Sequence, residues 1–195
     1  MSHTIQTLLE SPVGFRSQLV AAFFAGLDDQ SRRLAAATRG LTPEELAWQP
    51  APGMNTIGML LAHIAVAEVH LTDVGIRGLE NSDVRAAIGI GSEDDGLPLR
   101  ENGSAPAVLQ GRTLEFYDGL LERARAHSRA HAMTLTDADL ARQITRQRPD
   151  GNRRVFDIRW MVYHLLEHQA GHHAQILMLR HLQRAPRATP VRGGG

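Results

Sequence analysis

Residues 159–176 read RWMVYHLLEHQAGHHAQI, and this stretch decides how the whole chain is interpreted. Its apolar residues recur every three or four positions, which is the spacing of one face of an α-helix. Asp157 can cap the amino terminus, and the pattern continues to about Arg184, so the helix would be roughly 40 Å long. We therefore expect a long amphipathic helix at the end of a helical domain.

The histidines of this helix point in two directions. On a helical wheel His164 and His172 lie within about 40° of His168, on the stripe that should face the core. His173 and His181 point about 140° away and are expected to be solvated. The sequence thus predicts three histidines on the core-facing stripe of the last helix.

Three further amphipathic helices and several shorter elements are expected before this one. The connection over residues 79–104 is rich in Gly, Asp, Glu and Ser and should run over the surface with at most one short helix. Capping, proline and glycine signals give the boundaries. The expected elements are a first helix from Ser11-Pro12 to Gly40, a capping-box turn at 42–45, a second helix from Asn55 or Thr56 to Gly75 or Gly78, a short helix at 82–88, a third helix opened by Ser104-Ala-Pro106, and a hairpin of 143–148 with 153–156.

This pattern predicts an all-α protein with a four-helix bundle, a long crossover loop and a small hairpin before the last helix. We expect a single domain over residues 1–185. The Pro-, Arg- and Gly-rich tail at 186–195 is expected to be disordered.

Composition excludes several classes of chemistry. The chain has 195 residues, a formal net charge of +0, ten histidines and no cysteine, and every basic residue is arginine. Thiolate nucleophiles, cysteine-ligated zinc, Schiff-base lysines and the Walker A lysine are therefore excluded. The neutral charge argues against a nucleic-acid or membrane partner, and with no secretory signal visible we expect a cytoplasmic protein.

A bound metal explains several histidines on one apolar stripe better than packing does. Each buried neutral ring needs partners for both nitrogens, and one ion satisfies a nitrogen on several rings at once. Histidines at i and i+4 can hold one ion from one helix face, which leaves the pairs His164/His168 and His168/His172 open. His63 on the second helix is the candidate third ligand.

Other polar residues have weaker signals. The pair His127 and His131 on the third helix is a rival ligand pair, although a helix carboxyl terminus favours histidine without any metal. His70 is expected to lie at the surface, and Glu68 is expected to pair with an arginine. The remaining candidates lie on the last helix: Glu167 and Tyr163 as catalytic groups, and Gln175 as a hydrogen-bonding neighbour of the site.

Two stretches resemble a known family. Residues 41–65, LTPEELAWQPAPGMNTIGMLLAHIA, and residues 159–176 have the pattern and order of the DinB/YfiT-like superfamily of proposed metalloenzymes. The resemblance covers most of residues 11–184, without the loop at 79–104. It implies a four-helix bundle that holds one divalent metal through His63, His168 and His172, with His164 as a neighbour.

The resemblance also implies a type of function. Three histidines leave coordination positions open, as in catalytic rather than structural sites, and imidazole suits zinc or nickel, with manganese or iron next. We expect a metal-dependent enzyme, a thiol S-transferase or a hydrolase, acting on a small molecule such as a low-molecular-weight thiol. The alternatives are a non-catalytic protein that binds metal or a small ligand, and a structural module whose histidines only pack. A homodimer is implied as well.

Overall fold

The computed structural model describes residues 7–97, 99, 101, 103–148 and 150–184. The described part is mostly helical, with one small two-stranded sheet. The expected tail at 186–195 lies outside it, and the single domain stays a prediction. The elements are α1 (Gln18–Thr38), α2 (Pro43–Ala47), α3 (Ile57–His70), a π-helical turn (Leu71–Ile76), α4 (Val84–Ile88), α5 (Leu114–Ala132), β1 (Gln143–Gln147), β2 (Arg153–Asp157) and α6 (Ile158–Arg184).

Two helices begin later than predicted, in each case after a glycine with a left-handed backbone. α1 begins after Ser17, whose hydroxyl accepts a hydrogen bond from Val20 N at 3.3 Å, so the predicted start at Ser11-Pro12 is wrong. Gly14, at φ +92°, has a left-handed backbone and prevents a continuous helix between the two positions. The third long helix, α5, begins at Leu114, and Ser104-Ala-Pro106 leads only into a 3-10 turn. Gly111, at φ +64°, separates that turn from α5.

The other boundary signals are confirmed. Thr42 and Glu45 form the predicted capping box of α2, and Thr56 caps α3. The hairpin forms with Thr145 opposite Val155. Asp157 Oδ1 accepts a hydrogen bond from Trp160 N at 2.7 Å and so caps α6, which extends to Arg184, the last residue that the structure describes.

α3 is the central helix. It packs against both α5 and α6, and it continues into the π-helical turn without leaving the core. The segment Ile57–Ile76 is long and apolar enough to cross a membrane by length and composition, but most of it is buried inside the protein. Its apolar character is therefore that of a buried core helix.

The connection at 79–104 was expected to run over the surface, but part of it is buried. It contains the predicted short helix, α4, capped by Asp83. Ile88 and Ile90 are 0% and 2% exposed and pack in the same apolar cluster as α3 and α5. Asp95 is also buried. The segment was predicted to be exposed because most of its residues are polar, whereas a few apolar residues pack it against the helices.

The buried face of α6 differs from the predicted one. Val162, Leu165, Gln169 and Ile176 are buried, so the core lies about 80° around the helix from His168. The three histidines on the predicted core stripe lie at its edge and are half-buried. α6 packs against α3 and, more extensively, against α1. The contact with α1 rotates the buried face of α6 away from the predicted one.

His173 is consequently buried, and the expectation that it is solvated is wrong. It is 8% exposed, and its Nδ1 lies 3.3 Å from Gln30 Oε1 on α1. Burial, and then the nearby Arg33 charge, lowers the pKa of His173 below its ordinary value. His181 is exposed, as predicted.

Candidate metal centre

Three histidines from two helices converge where α3 crosses α6. His63 is contributed by α3, and His168 and His172 lie one turn apart on α6. His168 Nε2 lies 3.2 Å from His63 Nε2 and 3.1 Å from His172 Nε2. The pair at i and i+4 therefore faces the third ring, and the three residues could hold a metal ion.

Asp95 orients the His63 ring. Its Oδ2 lies 2.8 Å from His63 Nδ1, while its Oδ1 accepts a hydrogen bond from Leu97 N at 2.9 Å. The carboxylate is 2% exposed. Because a carboxylate accepts, His63 Nδ1 carries the proton and Nε2 keeps its lone pair for the centre.

Gln175 orients the His172 ring in the same way. Its Oε1 lies 3.0 Å from His172 Nδ1, as its position in line with His168 had indicated. The amide oxygen accepts from Nδ1, so the Nε2 lone pair of His172 also points toward the other rings. Two of the three rings are thus held in the tautomer that a metal ligand needs.

The electrostatics of the group favour neutral rings. Burial, and then the neighbouring rings of His172, His63 and His164, lowers the pKa of His168 to about 3. Burial also lowers the pKa of His172, although Gln175 opposes the shift. Because Nδ1 of His63 and of His172 donates to Asp95 and to Gln175, the Nε2 atoms of both rings face Nε2 of His168. A cation can accept lone pairs from these nitrogens, so the donor set fits a divalent ion that prefers imidazole.

Of the two catalytic candidates, Glu167 lies near this group. Glu167 is half-exposed, and its Oε2 lies 3.0 Å from His164 Nδ1. The His164 ring stacks on Trp160 with centroids 4.5 Å apart and lies 6.0 Å from the His168 ring. His164 is thus a neighbour of the three rings, and Glu167 contacts this neighbour.

Tyr163 lies on a different side of α6. Its ring packs edge-on against Phe23 of α1, with centroids 6.4 Å apart, and it is 43% exposed. This direction follows from the separation of five positions between Tyr163 and His168, which corresponds to about 140° on the helix. Tyr163 therefore contacts α1, whereas the histidines face α3.

The rival histidines have a separate place. His127 Nε2 lies 2.8 Å from Asp73 Oδ1 in the π-helical turn, and His131 lies beside it. His70 is exposed, as predicted. Glu68 pairs with Arg125, with Oε1 2.7 Å from Nε, which confirms the expected arginine partner.

A small open pocket lies along the contact of α3 with α6. Its volume is about 330 Å³, and Gln175, the partner of His172, lines it. The other walls are mostly apolar, and they come from α3, α6 and the loop before α3. They are Gly53, Met54, Asn55, Leu60, Met178, Leu179 and Leu182. This size and lining suit a small molecule with an apolar part.

Asp95 is the site residue that sequence reasoning missed. The Asp94-Asp95-Gly96 sequence was included in a polar surface connection, because acidic residues before a glycine are typical of exposed turns. A signal was present in the apolar residues Ile88, Ile90 and Leu97 on both sides of it, which pack against the core.

A comparison with known families found a match that covers most of the chain. The sequence profile of the DinB superfamily matches residues 27–176, which include all three histidines and the loop with Asp95. A search of curated proteins found no match.

Proposed function

Since the chain belongs to the DinB superfamily, we propose that it is a metal-dependent enzyme with an open three-histidine site that acts on a small molecule. The observation that carries the proposal is the convergence of three Nε2 atoms, two of them on rings whose Nδ1 is anchored. We also propose that the four long helices, α1, α3, α5 and α6, form a four-helix bundle around this centre.

His63, His168 and His172 would hold the ion. Members of this superfamily bind divalent metals, and neutral imidazoles favour zinc or nickel, with manganese or iron next. When bound, such an ion supplies a Lewis acid that polarises a substrate or lowers the pKa of a bound water or thiol. Three protein ligands leave room for that partner.

The residues of the chain would orient both the ion and the substrate. Asp95 and Gln175 hold two rings in place, and the apolar cavity beside Gln175 would receive the substrate's apolar part. The His164–Glu167 pair is the candidate proton acceptor, since His164 is the next ring along α6 from His168. We propose a thiol S-transferase or a hydrolase on this basis, with a low-molecular-weight thiol as the substrate of the former.

A second candidate function is a non-catalytic protein that uses the metal and the cavity to hold a small ligand. The apolar cavity of about 330 Å³ supports it, because a ligand can be bound there without reaction. A homodimer and a cytoplasmic location stay predictions.

Metal content tests the proposal first. Untagged protein, purified without chelating resin, is analysed by elemental mass spectrometry beside the variants H63A and H168A and the exposed control H181A. We expect each of the first two variants to hold one metal equivalent less than wild type, and H181A to hold the same amount. Equal metal content in all four proteins, after reconstitution with zinc, nickel or manganese, would overturn it.

Turnover then separates the two functions. The metal-loaded protein is incubated with low-molecular-weight thiols and electrophilic acceptors, and separately with hydrolysable esters. Rates above background that disappear in H63A support the enzyme. A ligand-induced rise in Tm that requires the metal, with no turnover, supports the binding protein instead.

A further inference from the structure

A second group of metal-type ligands lies at the other end of α3. Asp73, His127 and His131 each offer one ligand atom, and these atoms all lie within 4.8 Å of one another. Asp73 belongs to the π-helical turn that follows α3, and the two histidines lie one turn apart in the last part of α5. Asp73 is ten residues after His63, about 15 Å along the helix, so the two groups are separate.

The π-helical turn places the carboxylate against α5. Its wider backbone is fixed by the hydrogen bond from Arg77 N to Thr72 O at 2.9 Å, five residues apart. Gly75 allows the turn to approach α6 closely, because a Cβ there would lie 2.6 Å from Met161 Cγ. π-turns inside α-helices occur frequently at functional sites. Asp73 is only 4% exposed in this position.

The buried carboxylate of Asp73 is surrounded by hydrogen-bond donors, one of them a positively charged guanidinium. Its Oδ1 lies 2.8 Å from both Arg77 Nη1 and His127 Nε2, and its Oδ2 accepts a hydrogen bond from Ser82 at 2.7 Å. The contact with Asp73 accounts for His127, and the last turn of α5 favours a histidine at His131. Neither effect requires the two rings to meet, yet His131 lies edge-on to His127 with centroids 5.0 Å apart, and its ligand nitrogen lies within 4.8 Å of those of the other two residues.

We propose that Asp73, His127 and His131 form a second divalent-metal site, distinct from the three-histidine centre. Its donors are one carboxylate oxygen and two imidazole nitrogens, a set that suits zinc, iron or manganese. The carboxylate distinguishes it from the first centre, which offers nitrogen alone.

Arg77 sets the affinity of this site. Its guanidinium lies at the same carboxylate oxygen that His127 contacts, so an incoming cation competes with it for Asp73. The site is therefore weaker than the first centre, and loss of the guanidinium charge should strengthen it.

The experiment uses full-length protein in which H63A and H168A together remove the first centre. Zinc binding is measured by isothermal titration calorimetry, and Co²⁺ absorption spectra report nitrogen coordination. We expect one equivalent to bind, H131Q to abolish it and R77Q to tighten it. The matched controls are H181Q on α6 and R32Q on α1, both exposed positions. H131Q is the chosen variant because His131 is not among the partners that hold Asp73 in the turn.

The proposal is overturned if the background protein binds no more zinc than a non-specific level, or if H131Q and H181Q bind alike. Should the background variant fail to fold, the same comparison is made in the wild-type background. There H131Q must lower the number of bound equivalents by one, and an unchanged number overturns the proposal. A loss of metal in H63A alone concerns the first centre and leaves this site standing.

Discussion

Asp95 Oδ2 lies 2.8 Å from His63 Nδ1, so a residue of the long connection orients a ring of the central helix. This contact predicts that D95N weakens metal binding at the three-histidine centre by about 10–100-fold, the usual effect of removing a carboxylate behind a ligating histidine. The amide can present its NH2 group to Nδ1 and so favours the wrong tautomer. Competition with a chromophoric chelator measures the change.

The matched control for this prediction is E93Q. Glu93 lies two residues away in the same connection, is exposed, and pairs only with Arg85 among the contacts seen in the described residues. Its removal should leave the affinity unchanged. If D95N and E93Q bind metal equally well, Asp95 has no orienting role.

The histidine group predicts that the metal-free protein loses stability in acid. The folded-state pKa of His168 is about 3, against an ordinary value of 6.5, and the pKa of His172 is lowered too. Between these values the unfolded chain binds more protons than the folded one, so stability falls as the pH drops from about 6.5 toward 3. Each such proton contributes a slope of about 1.4 kcal/mol per pH unit.

Urea unfolding of chelator-treated protein between pH 7.5 and 4.5 measures this slope. H168Q removes one titrating ring and should flatten it, while H181Q, at an exposed position, should not. A slope in H168Q equal to that of wild type would show that His168 is not held neutral by the fold.

The buried ion pair between Glu68 and Arg125 predicts a loss of stability on truncation. Glu68 is 5% exposed, Arg125 lies against it from α5, and Arg125 Nη2 also donates to Gln169 Oε1 at 2.8 Å. E68A leaves Asp28, whose Oδ1 lies 3.1 Å from Arg125 Nη1, as the carboxylate partner of the arginine, and should lower the free energy of unfolding by about 1–3 kcal/mol. Chemical denaturation followed by circular dichroism checks this.

The control for E68A is D29A. Asp29 pairs with Arg32 and Arg33 at the surface of α1, where such pairs contribute no more than about 1 kcal/mol. If the free energy of unfolding falls by the same small amount in both variants, the buried pair contributes no more to stability than the surface pair.

Two helical glycines predict opposite effects of the same substitution. At Gly75 an added Cβ would lie 2.6 Å from Met161 Cγ, near the base of that side chain, so G75A should destabilise the protein by about 1–3 kcal/mol. At Gly171, between His168 and His172, a Cβ meets nothing within 4 Å. G171A should therefore stabilise α6 by about 0.5–1 kcal/mol. Thermal unfolding distinguishes the two, and a gain in Tm for G75A would contradict the close packing of the π-helical turn.

Local sequence signals predicted the structure correctly where it depends on contacts between residues close together in the chain. The Thr42 capping box, the Thr56 and Asp157 caps and the hairpin each depend on contacts within a few residues, and all were predicted. The starts of α1 and α5 were predicted too early, because a serine and a proline look like a helix start even where a following glycine turns the chain.

The histidines show how far helical periodicity reaches. Spacing placed His164, His168 and His172 on one face of α6 but could not choose a pair, and only the resemblance to a family singled out His63, His168 and His172. The structure brings these three together. Which rings meet depends on where α3 crosses α6, and no spacing within one helix contains that information.

The sequence by itself determined the helical class, the short-range caps and the supply of neutral nitrogen ligands, because these follow from residue type and local spacing. The tertiary structure decided which side of α6 is buried, and with it the burial of His173. It also decided that Asp95 reaches His63 across 32 positions of the chain. The physical reason is that burial and long-range contacts depend on how all the helices pack together. The buried side of one helix is set by the positions of all the helices that contact it.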